Sequence, residues 1–136
     1  MFNKVILEGR LVDDVQLKTI PNSDSMVADG TLASNDHRRD KADFIRVKFW
    51  NKQAEYVANN TKKGTLILVS GRIRTSTYEK DGQKRTFTYV NVDEIRNLER
   101  DKSIFDTSIN QEAVNEFIQA VDGEGENIFD VAEEAI

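Results

Sequence analysis

Aromatic and cationic residues alternate along residues 43–52, DFIRVKFWNK. If this stretch is a β-strand, successive side chains point to opposite faces of the sheet. One face then comprises Phe44, Arg46, Lys48 and Trp50, and the other Ile45, Val47 and Phe49. Rings stack on bases and cations meet phosphates, so the first face predicts single-stranded nucleic acid as a partner. The pattern is equally typical of an amphipathic strand whose rings are covered by a neighbouring element.

The segment immediately before this strand, residues 35–42, is almost wholly polar and includes His37, Arg38, Arg39 and Lys41. Such a run predicts an exposed, mobile loop. It is either a solvated connection or a loop that closes over a bound strand of nucleic acid.

Composition excludes several kinds of site. The 136 residues contain no cysteine and one histidine, so neither a disulfide framework nor a thiolate or histidine-cluster metal site is expected. The sequence contains no nucleophile–base constellation, Walker loop or glycine-rich dinucleotide fingerprint. We therefore expect neither an enzyme nor a bound cofactor or metal.

Charge divides the chain into two parts. Residues 1–102 hold all 19 basic residues against 15 acidic ones, a net charge of +4, whereas residues 103–136 hold nine acidic residues and a net charge of −9. This asymmetry predicts a mildly basic binding domain over residues 1–102 and an acidic tail over residues 103–136. No apolar stretch approaches the length of a membrane span, so a cytoplasmic protein is expected.

To place the candidate residues, the elements around them must be predicted. Alternating patterns predict five strands near residues 3–11, 26–34, 43–52, 65–78 and 85–95, with a short extended piece at residues 15–20. A helical period over residues 51–61 separates the third and fourth strands, and Asp81-Gly82 predicts a tight hairpin after the fourth. Gly9 and Gly71 mark bends. This order is expected of a mainly β OB-fold, a small Greek-key barrel of five strands with one helix between strands three and four.

Across these predicted strands and turns the chain resembles the bacterial and phage single-stranded DNA-binding protein family. The resemblance covers residues 1 to about 99, and within this range several motifs occur in the order and spacing of the family. The motifs are NKVILEGRL at residues 3–11, DFIRV at residues 43–47 with Lys52 after Trp50, KKG at residues 62–64, GRIRT at residues 71–75 ahead of Tyr78, and DGQ at residues 81–83.

The resemblance implies binding and protection of single-stranded DNA in replication, recombination or repair, regardless of base sequence. It also implies a homo-oligomer, most often a tetramer, in the cytoplasm of a bacterium or a phage-infected host. In the family, aromatic side chains matching Phe44, Trp50 and Tyr78 stack on bases, and His37 stands where a large aromatic is common. The implied backbone contacts are Lys4, Arg10, Arg46, Lys62, Lys63, Arg72 and Arg74, to which the local pattern adds Lys48 and Arg38.

The tail departs from the family, whose members usually end in an acidic tip closing with Pro-Phe that docks on replication and repair enzymes. Here residues 109–121 have helical spacing, with Ser108 and Gln111 as a possible capping box and an apolar face of Ile109, Ala113, Phe117 and Val121. A disordered acidic tail of marginal helicity is an equal alternative, because so short a helix needs packing to persist. Two hypotheses follow for the tail. It competes with DNA for the basic groove, or its helix packs on the barrel and stabilises it.

A second function also fits these patterns. An OB-fold adaptor of a primosome or recombination complex acts mainly through contacts with proteins, and it would bind single-stranded DNA weakly or not at all.

Overall fold

A computed structural model of the chain describes residues 1–36, 38–99 and 111–121. The strands are β1 (Val5–Leu11), β2 (Gln16–Thr19), β3 (Met26–Asp36), β4 (Lys41–Trp50), β5 (Leu66–Lys80) and β6 (Gln83–Asn97), and the helices are α1 (Lys52–Asn60) and α2 (Gln111–Val121).

Five of these strands close into a barrel. The sheet runs in the order β1-β5-β6-β4-β3, and β1 also pairs with β3, which completes the ring, while β2 extends the sheet beyond β3. All pairings are antiparallel except β4 with β6, where Val47 lies opposite Val90. With α1 between β4 and β5, the predicted five-stranded OB-fold is confirmed.

The core lies on the side of β4 that the alternation predicted. Val47 and Phe49 are fully buried, and Ile45 packs against the same cluster. Their partners come from β1, β3, α1, β5 and β6, and include Leu11, Leu32, Val57, Ile67, Val69 and Val90. Phe44, Arg46, Lys48 and Trp50 therefore share the outer face of the barrel.

Two glycines allow neighbouring strands to approach closely. A Cβ at Gly71 would lie 2.0 Å from the carbonyl oxygen of Asn91, and one at Gly9 would lie 2.7 Å from that of Ala33. The β5–β6 register shifts between Ser70 and Gly71, which is the signature of a bulge. At both positions the missing side chain lets a neighbouring strand pass.

The long hairpin turns where Asp-Gly predicted it. Asp81 and Gly82 have φ angles of 53° and 77° and form the two-residue connection between β5 and β6. Positive φ at both turn positions matches the twist of the flanking strands. Both strands extend beyond the predicted ranges, because cross-strand pairs continue to Lys80 and Gln83.

The prediction of a loop over residues 35–42 is wrong in its length. β3 runs to Asp36 and β4 starts at Lys41, and these two residues pair across the hairpin. Asp36 closes the turn, since its carboxylate accepts hydrogen bonds from the Arg38 backbone nitrogen and Arg39 Nε, each at 2.9 Å. These contacts lie in solvent at the tip of the hairpin, and they let the polar sequence form a short turn.

Helix α2 packs against the outer face of the barrel. Val114 is 1% exposed and clusters with Val12 and Ala33, with Ala42 and Phe44 packed beside them. A helix was expected over residues 109–121, with Ile109 on its apolar face. Ile109 and the capping position Ser108 lie outside the described residues.

Candidate nucleic-acid interface

The outer face of β4 continues across the neighbouring strands. Lys48 lies opposite Asn91 of β6, and on β5 Arg72 and Arg74 lie opposite Asn91 and Tyr89. Residues opposite each other in a ladder point to the same side of the sheet. The fold therefore places predicted residues from β4 and β5 on one surface, which we call the outer face: Phe44, Arg46, Lys48, Trp50, Arg72, Arg74 and Tyr78.

Trp50 is held by its polar edge. Its indole Nε1 donates a hydrogen bond to Asn91 Oδ1 at 2.7 Å, and the ring is half-buried. This hydrogen bond restrains the orientation of the ring, and because the ring is half-buried, part of it is accessible to a partner. A base stacking there would meet an oriented platform.

Lys48 lies beneath the rings. Its side chain is fully buried, with Nζ 5.1 Å from the centroid of Tyr89 and 6.0 Å from that of Trp50. The cross-strand neighbour of Lys48 is Asp29, which forms an ion pair with Lys18 at 3.4 Å. In this position Lys48 supports the aromatic platform by cation–π contact, and it has no exposed surface to offer a phosphate.

Three aromatic residues line up along the hairpin. The ring centroid of Phe87 lies 6.2 Å from that of Tyr78, in an edge-to-face arrangement, and 5.5 Å from that of Tyr89. All three rings are at least nine-tenths buried. Phe87 and Tyr89 were not predicted as site residues. Phe87, Tyr89 and Asn91 alternate with Val90 and Val92 along β6, and this alternation was visible in the sequence. It does not say which set faces outward, and only the burial of Val90 in the core assigns Phe87 and Tyr89 to the outer face.

Phe44 meets a ring from outside the barrel. The Phe117 ring of α2 stacks on it with centroids 5.2 Å apart and planes inclined by 25°. The guanidinium carbon of Arg46 lies 5.8 Å from the centroid of the same Phe117 ring. Phe117 was predicted only as part of a helical apolar face, because nothing local in the sequence indicates where the helix docks.

A largely apolar pocket of about 490 Å³ opens next to this contact. Its walls come from the outer face and from side chains near the mouth of the barrel, including Phe44, Arg46, Ile73, Phe87, Tyr89 and Phe117. A planar ring entering the pocket would meet aromatic surfaces and one guanidinium.

The remaining predicted cations differ in their surroundings. Arg72 and Arg74 are exposed on the outer face, and Arg38 is exposed in the β3–β4 turn. Lys4 donates to Ser70 Oγ at 3.1 Å, whereas Arg10 forms an ion pair with Glu99 at 2.5 Å. Lys62 and Lys63 lie in the connection between α1 and β5, and His37 lies outside the described residues.

Residues 1–36, 38–99 and 111–121 contain no group of three or more His, Cys, Asp or Glu side chains placed to hold a metal ion. Neither helix in this part of the chain has the length and apolar character needed to span a membrane.

Comparison with known proteins agrees with the geometry. The sequence profile of the Single-strand binding protein family matches residues 2–98. Single-stranded DNA-binding protein 2 of Clostridium acetobutylicum is 47% identical over 103 residues, which cover 71% of this chain and 77% of that protein. Single-stranded DNA-binding protein 4 of Streptococcus agalactiae is 40% identical over 124 residues, which cover 85% of each chain. Single-stranded DNA-binding protein A of Bacillus subtilis is 42% identical over 105 residues, which cover 73% of this chain and 60% of that protein.

Proposed function

The chain belongs to the single-strand binding protein family, and from this premise we propose that it coats and protects single-stranded DNA during replication, recombination or repair. The family consists of DNA-binding proteins and not of enzymes. The observation that supports the mechanism best is the outer face itself, on which the half-buried rings of Phe44 and Trp50 share a surface with the exposed Arg72 and Arg74.

In this mechanism bases stack on the half-buried rings of Phe44 and Trp50 while phosphates contact lysine and arginine side chains. Tyr78, the third predicted stacking residue, is only 9% exposed and offers a base little surface. Every base has a π-face, so stacking does not select among bases. Contacts with phosphates add affinity without sequence information. Binding is therefore independent of base sequence and weakens as salt rises.

The exposed cations are the first choice for phosphate contacts. Arg72, Arg74 and Arg38 have exposed side chains, and Arg72 and Arg74 lie on the outer face. The further proposed contacts are Lys4, Arg10, Lys62 and Lys63, together with His37, which lies outside the described residues. Arg46 and Lys48 are buried in the outer face and support the rings.

The proposed DNA-binding domain comprises residues 1–102 and the acidic tail residues 103–136. The family match over residues 2–98 supports this division. We place the protein in the cytoplasm of a bacterium or a phage-infected host, where replication or recombination proteins are candidate partners of the tail. The bacterial origin of the relatives supports this assignment.

We also propose a homo-oligomer, a tetramer by family resemblance. The outer side of β1 and β5 offers an apolar contact surface: Ile6 is 69% exposed, with half-buried Leu66 and Leu68 on the same side. Light scattering of the purified protein at micromolar concentration should give a mass above 15.5 kDa, and Ile6→Glu should lower it. A monomeric parent protein would contradict the proposal.

Titration with single-stranded DNA tests the function. Trp50 is the only tryptophan, so its emission should change on adding oligo-dT and on adding a mixed-sequence strand of equal length. The logarithm of the binding constant should fall linearly with the logarithm of salt concentration. Binding with unchanged emission would remove Trp50 from the DNA face. Absence of binding at moderate salt, measured by anisotropy of a labelled strand, would favour the adaptor.

A further inference from the structure

We propose that Asn3 is a positioning residue that fixes the direction in which the β5–β6 hairpin leaves the barrel, and with it the cations that the hairpin presents to single-stranded DNA. Asn3 precedes β1 in the chain, and its side chain reaches the backbone of β5. This inference rests on the proposed function and adds a residue through which that function depends on the N-terminal segment.

The side-chain amide of Asn3 forms two hydrogen bonds with one residue of β5. Its Nδ2 donates to the carbonyl oxygen of Ile73 at 2.9 Å, and its Oδ1 accepts from the backbone nitrogen of Ile73 at 3.0 Å. A neighbouring antiparallel strand would offer Ile73 the same donor and acceptor. The β1–β5 ladder ends where Val5 lies opposite Gly71, and its register places residue 3 opposite residue 73. Asn3 therefore continues the ladder by one rung with its side chain.

Ile73 lies at the base of the part of the hairpin that projects from the barrel. It pairs with Val90, and Val90 pairs with Val47 of β4. Within the described part of the chain, the ladders that β1 and β4 form with this hairpin reach no farther toward its tip than this rung. Residues 74–89 therefore form a ribbon of two strands paired with each other. Such a ribbon has little stability of its own, so its direction depends on how its base is held.

The base of the ribbon also contains a bend. The register shift between Ser70 and Gly71 marks a bulge, and a bulge bends the strand that contains it. Lys4 Nζ donates to Ser70 Oγ at 3.1 Å on one side of the bulge, and Asn3 binds Ile73 on the other side. Two consecutive side chains of the N-terminal segment thus hold β5 on both sides of its bend.

The direction of the ribbon matters because of the charges that it carries. Ile73 lies between Arg72 and Arg74, the two exposed arginines of the outer face, and Lys84 and Arg85 are exposed nearer to the tip. DNA that stacks on the rings of β4 meets these cations only when the ribbon has the right direction. The apparent affinity for DNA is then reduced to the extent that the ribbon is found in other directions.

The first experiment measures the direction of the ribbon without DNA. The chain has no cysteine, so spin labels can be attached through Gln83→Cys near the hairpin tip and Glu55→Cys on α1, both at exposed positions. Double electron–electron resonance gives the distribution of distances between the two labels. Asn3→Ala should broaden this distribution, whereas Gln16→Ala, which truncates an exposed amide side chain on β2, should leave it unchanged. An unchanged width with Asn3→Ala would overturn the inference.

The second experiment measures affinity for a labelled oligo-dT strand by anisotropy. Asn3→Ala should bind about three- to tenfold more weakly than the parent, as expected if about a third to a tenth of the molecules keep the ribbon in the binding direction. Gln16→Ala should match the parent. When Arg74 is already replaced by alanine, Asn3→Ala should weaken binding less, because residues that act through one another are not additive.

An undiminished loss in the Arg74→Ala background, or no loss in the parent background, would overturn the positioning role of Asn3. If the parent itself does not bind the strand, the proposed function fails. That result is distinct from DNA binding that is insensitive to Asn3.

Discussion

Trp50 and Phe49 are adjacent in β4 and serve opposite sides of the barrel. Phe49 is fully buried in the core, whereas Trp50 is half-buried on the outer face with its indole nitrogen bonded to Asn91. Alternation along one strand thus separates a core side chain from a side chain on the outer face.

Replacing each of these residues by alanine should separate stability from affinity. We expect Trp50→Ala to weaken DNA binding by about 1–3 kcal/mol, a range established on OB-fold binders that include this family. Phe49→Ala should lower the free energy of unfolding by about 3–5 kcal/mol through lost burial and a cavity. Denaturant unfolding and anisotropy titrations of both variants provide the comparison. Equal destabilisation by the two substitutions would contradict the assignment of faces.

At this scale the sequence predicts which way a side chain points better than how deeply it lies. The face shared by Phe44, Arg46, Lys48 and Trp50 follows from a period of two. The burial of Lys48 does not, because it depends on Tyr89, which lies 41 positions later in the chain and becomes a neighbour only when β4 pairs with β6.

Among the elements, the β5–β6 hairpin both stabilises the barrel and positions a residue of the outer face. Its bulge at Gly71 brings β5 against the Asn91 backbone, and the Asn91 side chain holds Trp50. The position of the tryptophan therefore depends on a glycine in another strand.

We expect Gly71→Ala to destabilise the fold and to disturb Trp50 together. The added Cβ would lie 2.0 Å from the Asn91 oxygen, so the strands must separate, at a cost of about 1–3 kcal/mol or more. Thermal unfolding followed by Trp50 emission reports both effects. Thr75→Ala, at an exposed position of the same strand, is the matched control. A variant with parental stability and emission would contradict the role assigned to Gly71.

The order of elements was predictable because turns and periods are local signals. Asp81-Gly82 fixed the hairpin, and the change of period at residue 51 located α1. The docking of α2 was not predictable, since its contacts with Val12, Ala33 and Phe44 join residues about 70 to 100 positions apart in the chain.

For the molecule as a whole, the packing of α2 bears on the two tail hypotheses. The helix packs on the barrel, as one hypothesis required, and its contact with Phe44 lies on the outer face that we propose binds DNA. Residues 103–136 carry a charge of −9 and residues 1–102 a charge of +4. A tail that competes with DNA would therefore do so through both stacking and charge.

A truncation after Lys102 should reveal both parts. We expect higher affinity for single-stranded DNA than in the full chain, with a gain that shrinks as salt rises and levels off above zero. The melting temperature should fall by a few degrees, because the burial of Val114 is lost while all six strands remain. Affinity and melting temperature measured at two salt concentrations separate the stacking part of the tail's effect from the electrostatic part. A gain that vanishes completely at high salt would leave charge as the only competitor.

The contact between Phe44 and Phe117 also bears on how the protein behaves when no DNA is present. A ring kept available for stacking is an apolar surface, and exposed apolar surface is what drives proteins to aggregate. Because Phe117 of α2 stacks on Phe44, part of this apolar surface is covered by the protein's own chain, which should reduce aggregation. We expect the DNA-free protein to stay clear at concentrations at which Phe117→Ala becomes turbid.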